Sequence, residues 1–215
     1  MPNPTVASLK PSVRTTGFLD VLQMMSGAAL IAFMWSHMIL VASVNLGAGV
    51  MNAIARFLED THLAQTGGPM IALIFLVHFV LAARKLPFRM DEQVSIWAHS
   101  RRFHHLDTWL WVIQAATAMI ILIMGAVHMW TVLTDLPITA AKSAARVQRG
   151  SWLTFYLLLL PLIELHVGIG FYRIGVKWGL ISRATRSHWK RVENRITAAF
   201  VIIGLITLFT FYRLG

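Results

Sequence analysis

The chain has 215 residues, of which 57% are hydrophobic and only 13% charged, with a mean hydropathy of +0.65. A soluble domain carries roughly 25% charged residues, so this balance excludes an ordinary soluble globular protein, and disorder with it. The absence of cysteine excludes disulfides, Cys-ligated zinc, iron–sulfur clusters and covalently attached c-type haem. The net charge of +10 is read through its placement in membrane connections rather than as a nucleic-acid signal.

Residues 1–16 are polar and proline-bearing and read as a short tail, with no signal-peptide core behind them. Five apolar runs of membrane-spanning length follow: Leu19–Val44, Pro69–Leu86, Asp107–Leu133, Trp152–Val176 and Arg195–Tyr212. The second has a short apolar part, Met70–Ala83, so its outer end extends toward Gly67–Gly68, and Pro69 suits a first helical turn. Between the first and second runs, apolar residues recur at 50, 51, 54, 57 and 58, the spacing of an interfacial amphipathic helix. Ile138–Val147 shows a weaker version of that pattern and reads rather as loop packing. There is no internal repeat. The expectation is one all-α membrane domain, residues 1–215, with five transmembrane helices.

The Lys and Arg residues give the orientation. The tail carries two, and the connections carry one, five, three and seven in chain order, with one at the C-terminus. With the N-terminus cytoplasmic, the inner side collects 14 and the outer side 5, which satisfies the positive-inside rule for an odd number of spans.

Nine histidines are present, and four of them, His37, His78, His128 and His166, lie inside apolar runs, one on each of the first four spans. An ionisable side chain in a span is costly and faces the bundle interior. His37 lies eight residues before Asn45 and His128 seven before Asp135, so both sit roughly 10–12 Å inside the outer boundary at 1.5 Å per residue. His78 lies six residues before Arg84 and His166 seven before Arg173, which puts that pair roughly 10 Å from the inner boundary. Two histidines at one depth on facing helices can supply both axial ligands of one haem iron. The pattern therefore predicts two stacked, non-covalent b haems, the outer held by His37 and His128 and the inner by His78 and His166.

Gly27, Gly125, Gly168 and Gly170 offer places where a bulky ring can approach the backbone, or where helices pack closely. Lys177, eleven residues after His166 and so on the same face, is a candidate partner for an inner haem propionate. Gln23 and Trp111 are candidate hydrogen-bond donors at the same level, although Trp111 also suits the interfacial aromatic belt. Arg146 and Arg149 are the cations available to the outer haem.

Of nine acidic residues, only Glu164 lies deep in a span. It sits two residues before His166, about 200° away around the helix, and so faces a different gap in the bundle. It reads as a proton relay, or as a neutral buried acid. Glu59 and Asp60 end the outer amphipathic stretch. Quinol oxidation releases protons beside its electron acceptor, and either carboxylate could take them; each also reads as an exposed interfacial acid.

Five spans with one ligand histidine on each of the first four, together with Glu164-Leu165-His166 and the spacing of Gln23, Trp111 and Lys177, resemble the di-haem cytochrome b anchor of succinate:quinone oxidoreductases. The resemblance is closest to the cytochrome b subunit of fumarate reductases. It implies a quinol:fumarate reductase in which this subunit oxidises menaquinol near the outer haem and its protons leave through Glu59 or Asp60. Electrons then pass through both haems to an iron–sulfur subunit, and an FAD-containing flavoprotein reduces fumarate to succinate. It further implies a bacterial inner-membrane location and a dimer of the whole complex. The basic inner connections, with His99, His104, His105 and His188, then form a docking floor for the soluble subunits. The same anchor run backward, as a succinate:menaquinone reductase, is the first alternative. A hydrogenase or formate dehydrogenase anchor fits the histidine layout poorly. A haem-free proton-coupled transporter lacks the repeat such frames use.

Overall fold

In the computed structural model, which describes residues 13–87, 89–103 and 105–214, the chain is all helical. Eight α-helices follow in order: α1 (Val13–Ala42), α2 (Ala48–Asp60), α3 (Leu63–Ala83), α4 (Met90–Phe103), α5 (Leu106–Leu133), α6 (Ala140–Gln148), α7 (Trp152–Lys177) and α8 (Arg186–Arg213). Short 3-10 turns at Ser43–Leu46 and Arg183–Thr185 precede α2 and α8. Five helices, α1, α3, α5, α7 and α8, are long and apolar enough to cross a membrane. Many of their large apolar side chains point outward, among them Leu73, Trp130 and Phe209, which is the surface hydrocarbon demands when the backbone is satisfied within each helix.

The four histidine-bearing helices form a closed ring, α1 against α3, α3 against α5, α5 against α7 and α7 against α1. Helix α8, which carries no histidine in its apolar part, packs along α7 and α1. Ion pairs tie one end together. Asp20 of α1 meets Arg84 and Lys85 just past α3 and Lys177 at the end of α7, and Asp107 of α5 meets Arg186 of α8. This end, where α1, α5 and α8 begin, is called the N face below. At the far face, Asn45 donates to Thr207 Oγ1 (3.0 Å) and accepts from Thr210 Oγ1 (2.7 Å). Gln148 Nε2 donates there to the Leu214 carbonyl (2.8 Å).

Several helices depart from the sequence expectation. Helix α3 runs back through Gly67 and Gly68 to Leu63, so Pro69 lies in its second turn rather than its first. The expected amphipathic helix is α2, whose Met51 and Ala55 are buried. Ile138–Val147, read as loop packing, contains a true helix, α6, which is a correction. Thr139 Oγ1 accepts the Lys142 N–H (3.2 Å) as an N-cap, and Asn52 Oδ1 of α2 accepts the Ala140 N–H (2.8 Å). Those bonds satisfy amides that would otherwise be orphaned at the helix start, while Ala140, Ala144 and Val147 pack flat into the far-face core. Helix α4 was not anticipated. Its signal lay in charge rather than apolar period, with Asp91 and Glu92 in the first turn and Arg101 and Arg102 in the last, the arrangement the helix dipole favours. Helix α8 begins at Arg186, nine residues before the expected span.

The buried apolar residues form two separate clusters. One, at the far face, joins Val44, Met51, Ala140, Ala144, Val147 and Phe211; the other, toward the N face, joins Leu110, Ile169, Tyr172 and Ile181. Between them runs a cavity, bordered by further buried side chains such as Ile31, Ile121 and Leu159.

Candidate functional site

The ring of α1, α3, α5 and α7 encloses a cavity of roughly 1030 Å³ that runs nearly the length of the bundle. It is far too large to be a packing defect, since close-packed interiors hold few voids bigger than a water. Its lining is mostly apolar, with all four span histidines on the wall.

At the far end, His37 of α1 and His128 of α5 face each other, ring centroids 5.9 Å apart and planes at 61°. Two metal–imidazole bonds of ~2 Å placed back to back, plus the ring half-widths, give a centroid separation of about 6 Å. The observed separation matches that length. Aromatic rings hold the pair in place: Phe33 stacks on His37 at 5.7 Å, and Tyr156 of α7 meets His128 edge-on at 5.6 Å. His128 Nδ1 is buried without a hydrogen-bond partner.

At the N end, the histidines are fixed by hydrogen bonds. His166 Nδ1 lies 3.1 Å from the Gln114 carbonyl and 3.2 Å from Thr117 Oγ1. A carbonyl can only accept, so Nδ1 carries the proton and Nε2 keeps its lone pair. His78 Nδ1 lies 3.0 Å from Ser26 Oγ, and that hydroxyl already donates to the Gln23 carbonyl (3.1 Å). Ser26 therefore accepts from His78 Nδ1, and again Nε2 is left free. Fixing one imidazole nitrogen so that the other can ligate is what outer-shell partners do at metal sites. Gly27 gives the ring its space: a Cβ there would lie 3.0 Å from His78 Cε1.

Among the described residues, no three His, Cys, Asp or Glu side chains converge as a metal cage. Two facing imidazoles suit a planar cofactor that brings its own equatorial donors. The glycine at His78 and the free Nε2 atoms of His78 and His166 fit such a group at the N end, and the His37–His128 spacing is compatible with one at the far end.

The other expected site residues divide. Gln23, Trp111 and Lys177 all line the N end of the cavity. Gln23 Oε1 is buried without a partner, and Lys177 Nζ is bound to Asp20 Oδ2 at 2.7 Å. Arg146 lines the far end, only 14% of its side chain exposed, and pairs with Asp135 at 2.7 Å. Lys142 joins the same carboxylate at 3.0 Å, and its ammonium holds the Asp135 carboxyl below the usual carboxylate range. Arg149 is exposed and is not among the lining residues, because it follows the end of α6. Gly27, Gly125 and Gly170 line the cavity, whereas Gly168 faces α8, where a Cβ would lie 2.6 Å from Glu193 Oε1. Gly168 is thus a close-packing residue, not a place for a cofactor ring.

Glu164 is 1% exposed, and its Oε1 has no hydrogen-bond partner. It is not on the cavity wall. Leu160 and Gly168, one turn to either side, both touch α8, so Glu164 shares the stripe of α7 that faces α8. Glu59 ends α2 half-exposed: Oε2 accepts from Gln65 Nε2 (2.5 Å) and Oε1 from the Ile138 amide (3.3 Å). Asp60 is exposed beside it. His99, His105 and His188 are exposed around the N face, and His104 lies outside the described residues.

Sequence reasoning missed three groups on this wall: Asp20, Lys85 and the Arg173–Gln114 pair, whose Nη1 to Oε1 distance is 2.5 Å. Asp20 precedes Gln23 by three residues and so shares its helical face, which was the available signal.

Comparison with known proteins agrees with this architecture. The family described as succinate dehydrogenase/fumarate reductase transmembrane subunit matches residues 90–212. The chain is 30% identical over 207 residues to the fumarate reductase cytochrome b subunit of Helicobacter pylori, covering 92% of this chain and 81% of that one. It is likewise 30% identical over 210 residues to the fumarate reductase cytochrome b subunit of Wolinella succinogenes, covering 92% and 82%. On that similarity, which runs over most of both chains, the chain belongs to the transmembrane, cytochrome b subunits of the succinate dehydrogenase/fumarate reductase family.

Proposed function

We propose that this chain is the quinol-oxidising membrane subunit of a quinol:fumarate reductase, passing electrons from menaquinol to an iron–sulfur subunit and on to an FAD-containing flavoprotein. The observation that carries the reading is one apolar cavity with a histidine pair at each end. His37 and His128 ligate one haem b at the far end, and His78 and His166 ligate a second at the N end. When bound, these haems supply one-electron carriers at two depths of a bilayer about 30 Å thick.

The chain's own residues supply ligation, charge and proton handling. Gln114 and Ser26 hold the inner imidazoles in the tautomer that ligates through Nε2. Gln23, Trp111 and Lys177 bind the inner propionates, and Arg146 the outer. Arg149 has no place in that role because its side chain lies off the wall. Menaquinol reaches the far end beneath α2 and α6, and Glu59, or Asp60 beside it, takes its protons. Glu164 relays protons through the bundle, as an acid deep in a span whose Oε1 is committed to no hydrogen bond. The N face is cytoplasmic by the positive-inside rule, in a bacterial inner membrane. Its basic connections dock the soluble subunits, and the whole complex pairs as a dimer.

The test is pyridine haemochrome content with a redox titration on the purified complex, compared with His37→Ala and His78→Ala. Two b haems per chain are expected, each substitution removing a different one. No haem in the unsubstituted complex would overturn the reading, and a single haem would reduce one pair to a structural contact.

A further inference from the structure

The N end of the cavity carries a charge cluster of which the functional reading above uses only Lys177. Asp20 lines the cavity and is only 22% exposed at its side chain. It gathers three cations from two other helices: Lys177 Nζ at 2.7 Å, Lys85 Nζ at 2.8 Å and Arg84 Nη2 at 3.3 Å. Lys85 and Lys177 also line the cavity. Three like charges at one level of a bundle repel one another unless an anion sits among them. Asp20 is that anion, and it leaves the cluster with a net charge of +2 from three cations and one carboxylate. A haem presents two propionate carboxylates, so the cluster matches them in charge. Arg173, the neighbouring cation on the wall, is committed to Gln114, and Asp107 is committed to Arg186.

We propose that Asp20 is the positioning residue of this end of the cavity: it draws Arg84, Lys85 and Lys177 into a propionate cradle and sets the electron affinity of the adjacent haem. The inference rests on the functional reading above, in which His78 and His166 hold that haem. Its electrostatics have a definite sign. A reduced haem carries one more negative charge than an oxidised one, so a nearby anion disfavours reduction and a nearby cation favours it. At partly buried sites a unit charge acts over such distances with an energy near that of a tenfold change in an equilibrium constant.

The experiment is a redox titration of the purified complex, with the inner haem assigned through His78→Ala. Asp20→Asn is expected to raise the inner midpoint potential by about tenfold in the reduction equilibrium, ~59 mV for one electron, leaving the outer haem in place. Asp20→Glu restores the original value. Lys85→Gln, which keeps the carboxylate and removes one cation, moves the potential down. If Asp20→Asn loses the inner haem, the sign is read from Lys85→Gln, and an inner potential that it raises or leaves unmoved overturns the inference. Both haems present with the inner potential unmoved by Asp20→Asn, or moved the same way by Asp20→Asn and Lys85→Gln, would overturn the inference while leaving the histidine assignment intact. Absence of the inner haem from the unsubstituted complex would instead remove the functional reading, and this inference with it.

Discussion

The two ends of the cavity carry the same pair of imidazoles but support them by different physics. At the N end, Nδ1 of each histidine is tied to a carbonyl or hydroxyl on a neighbouring helix, and a carboxylate with three cations closes the wall. At the far end, aromatic rings pack the histidines, His128 Nδ1 is unpartnered, and two amphipathic helices cover the opening. Hydrogen bonds fix orientation and tautomer, so the N end is preorganised. Ring packing fixes position without fixing the tautomer, and a site beside α2 and α6 can admit an apolar substrate from the bilayer. In the proposed reading, the rigid end hands electrons to a docked partner, and the adaptable end does the proton-coupled chemistry.

That contrast can be broken most severely at the far end. Glu59→Gln is expected to slow menaquinol oxidation by about a hundredfold, the lower range for removing a proton-transfer group, while both haems stay bound. Steady-state turnover with a menaquinol analogue measures it; normal turnover in Glu59→Gln with loss in Asp60→Asn would transfer the role to the neighbouring acid. At the N end the expected effect is smaller. Ser26→Ala removes the acceptor that fixes His78, and inner-haem retention should weaken by about tenfold, as for other outer-shell partners. Haem loss against time in apo-myoglobin capture follows it, and retention equal to the unsubstituted complex would show that packing alone holds His78. The smallest effect separates two arginines. Arg146→Gln should lower the outer haem's midpoint potential, because that side chain is on the wall, whereas Arg149→Gln should leave both potentials unchanged. A potential that responds to Arg149 would mean the far face closes differently around its cofactor.

Part of this site was legible from residue counting alone. His37 and His128 share a depth because a helix rises by a constant amount per residue, and the structure brings their rings together, edge-on and 5.9 Å apart. Glu164 was expected off the His166 face from helical rotation, and it is absent from the cavity wall. The α2 helix was visible in its period. By contrast, α6 was missed because its stability comes from Thr139 and Asn52 capping and from three small residues meeting other helices. Gly168 takes the close-packing alternative, which the sequence left open because a glycine's position along the chain does not say which neighbour approaches it. Lys177 was seen as a lone cation, while its partner Asp20 lies 157 positions away in the chain.

The sequence by itself determined the five apolar spans, the depth of each histidine and the basic bias of one side. These depend only on local composition and on a fixed rise and rotation per residue. Tertiary structure alone decided which faces meet. The closure of four helices into a ring opened the cavity, the carbonyl of Gln114 selected the tautomer of His166, and the convergence of the ends of α3 and α7 on Asp20 built its cation cluster. Those outcomes rest on contacts between residues far apart in the chain, which no periodicity along it encodes.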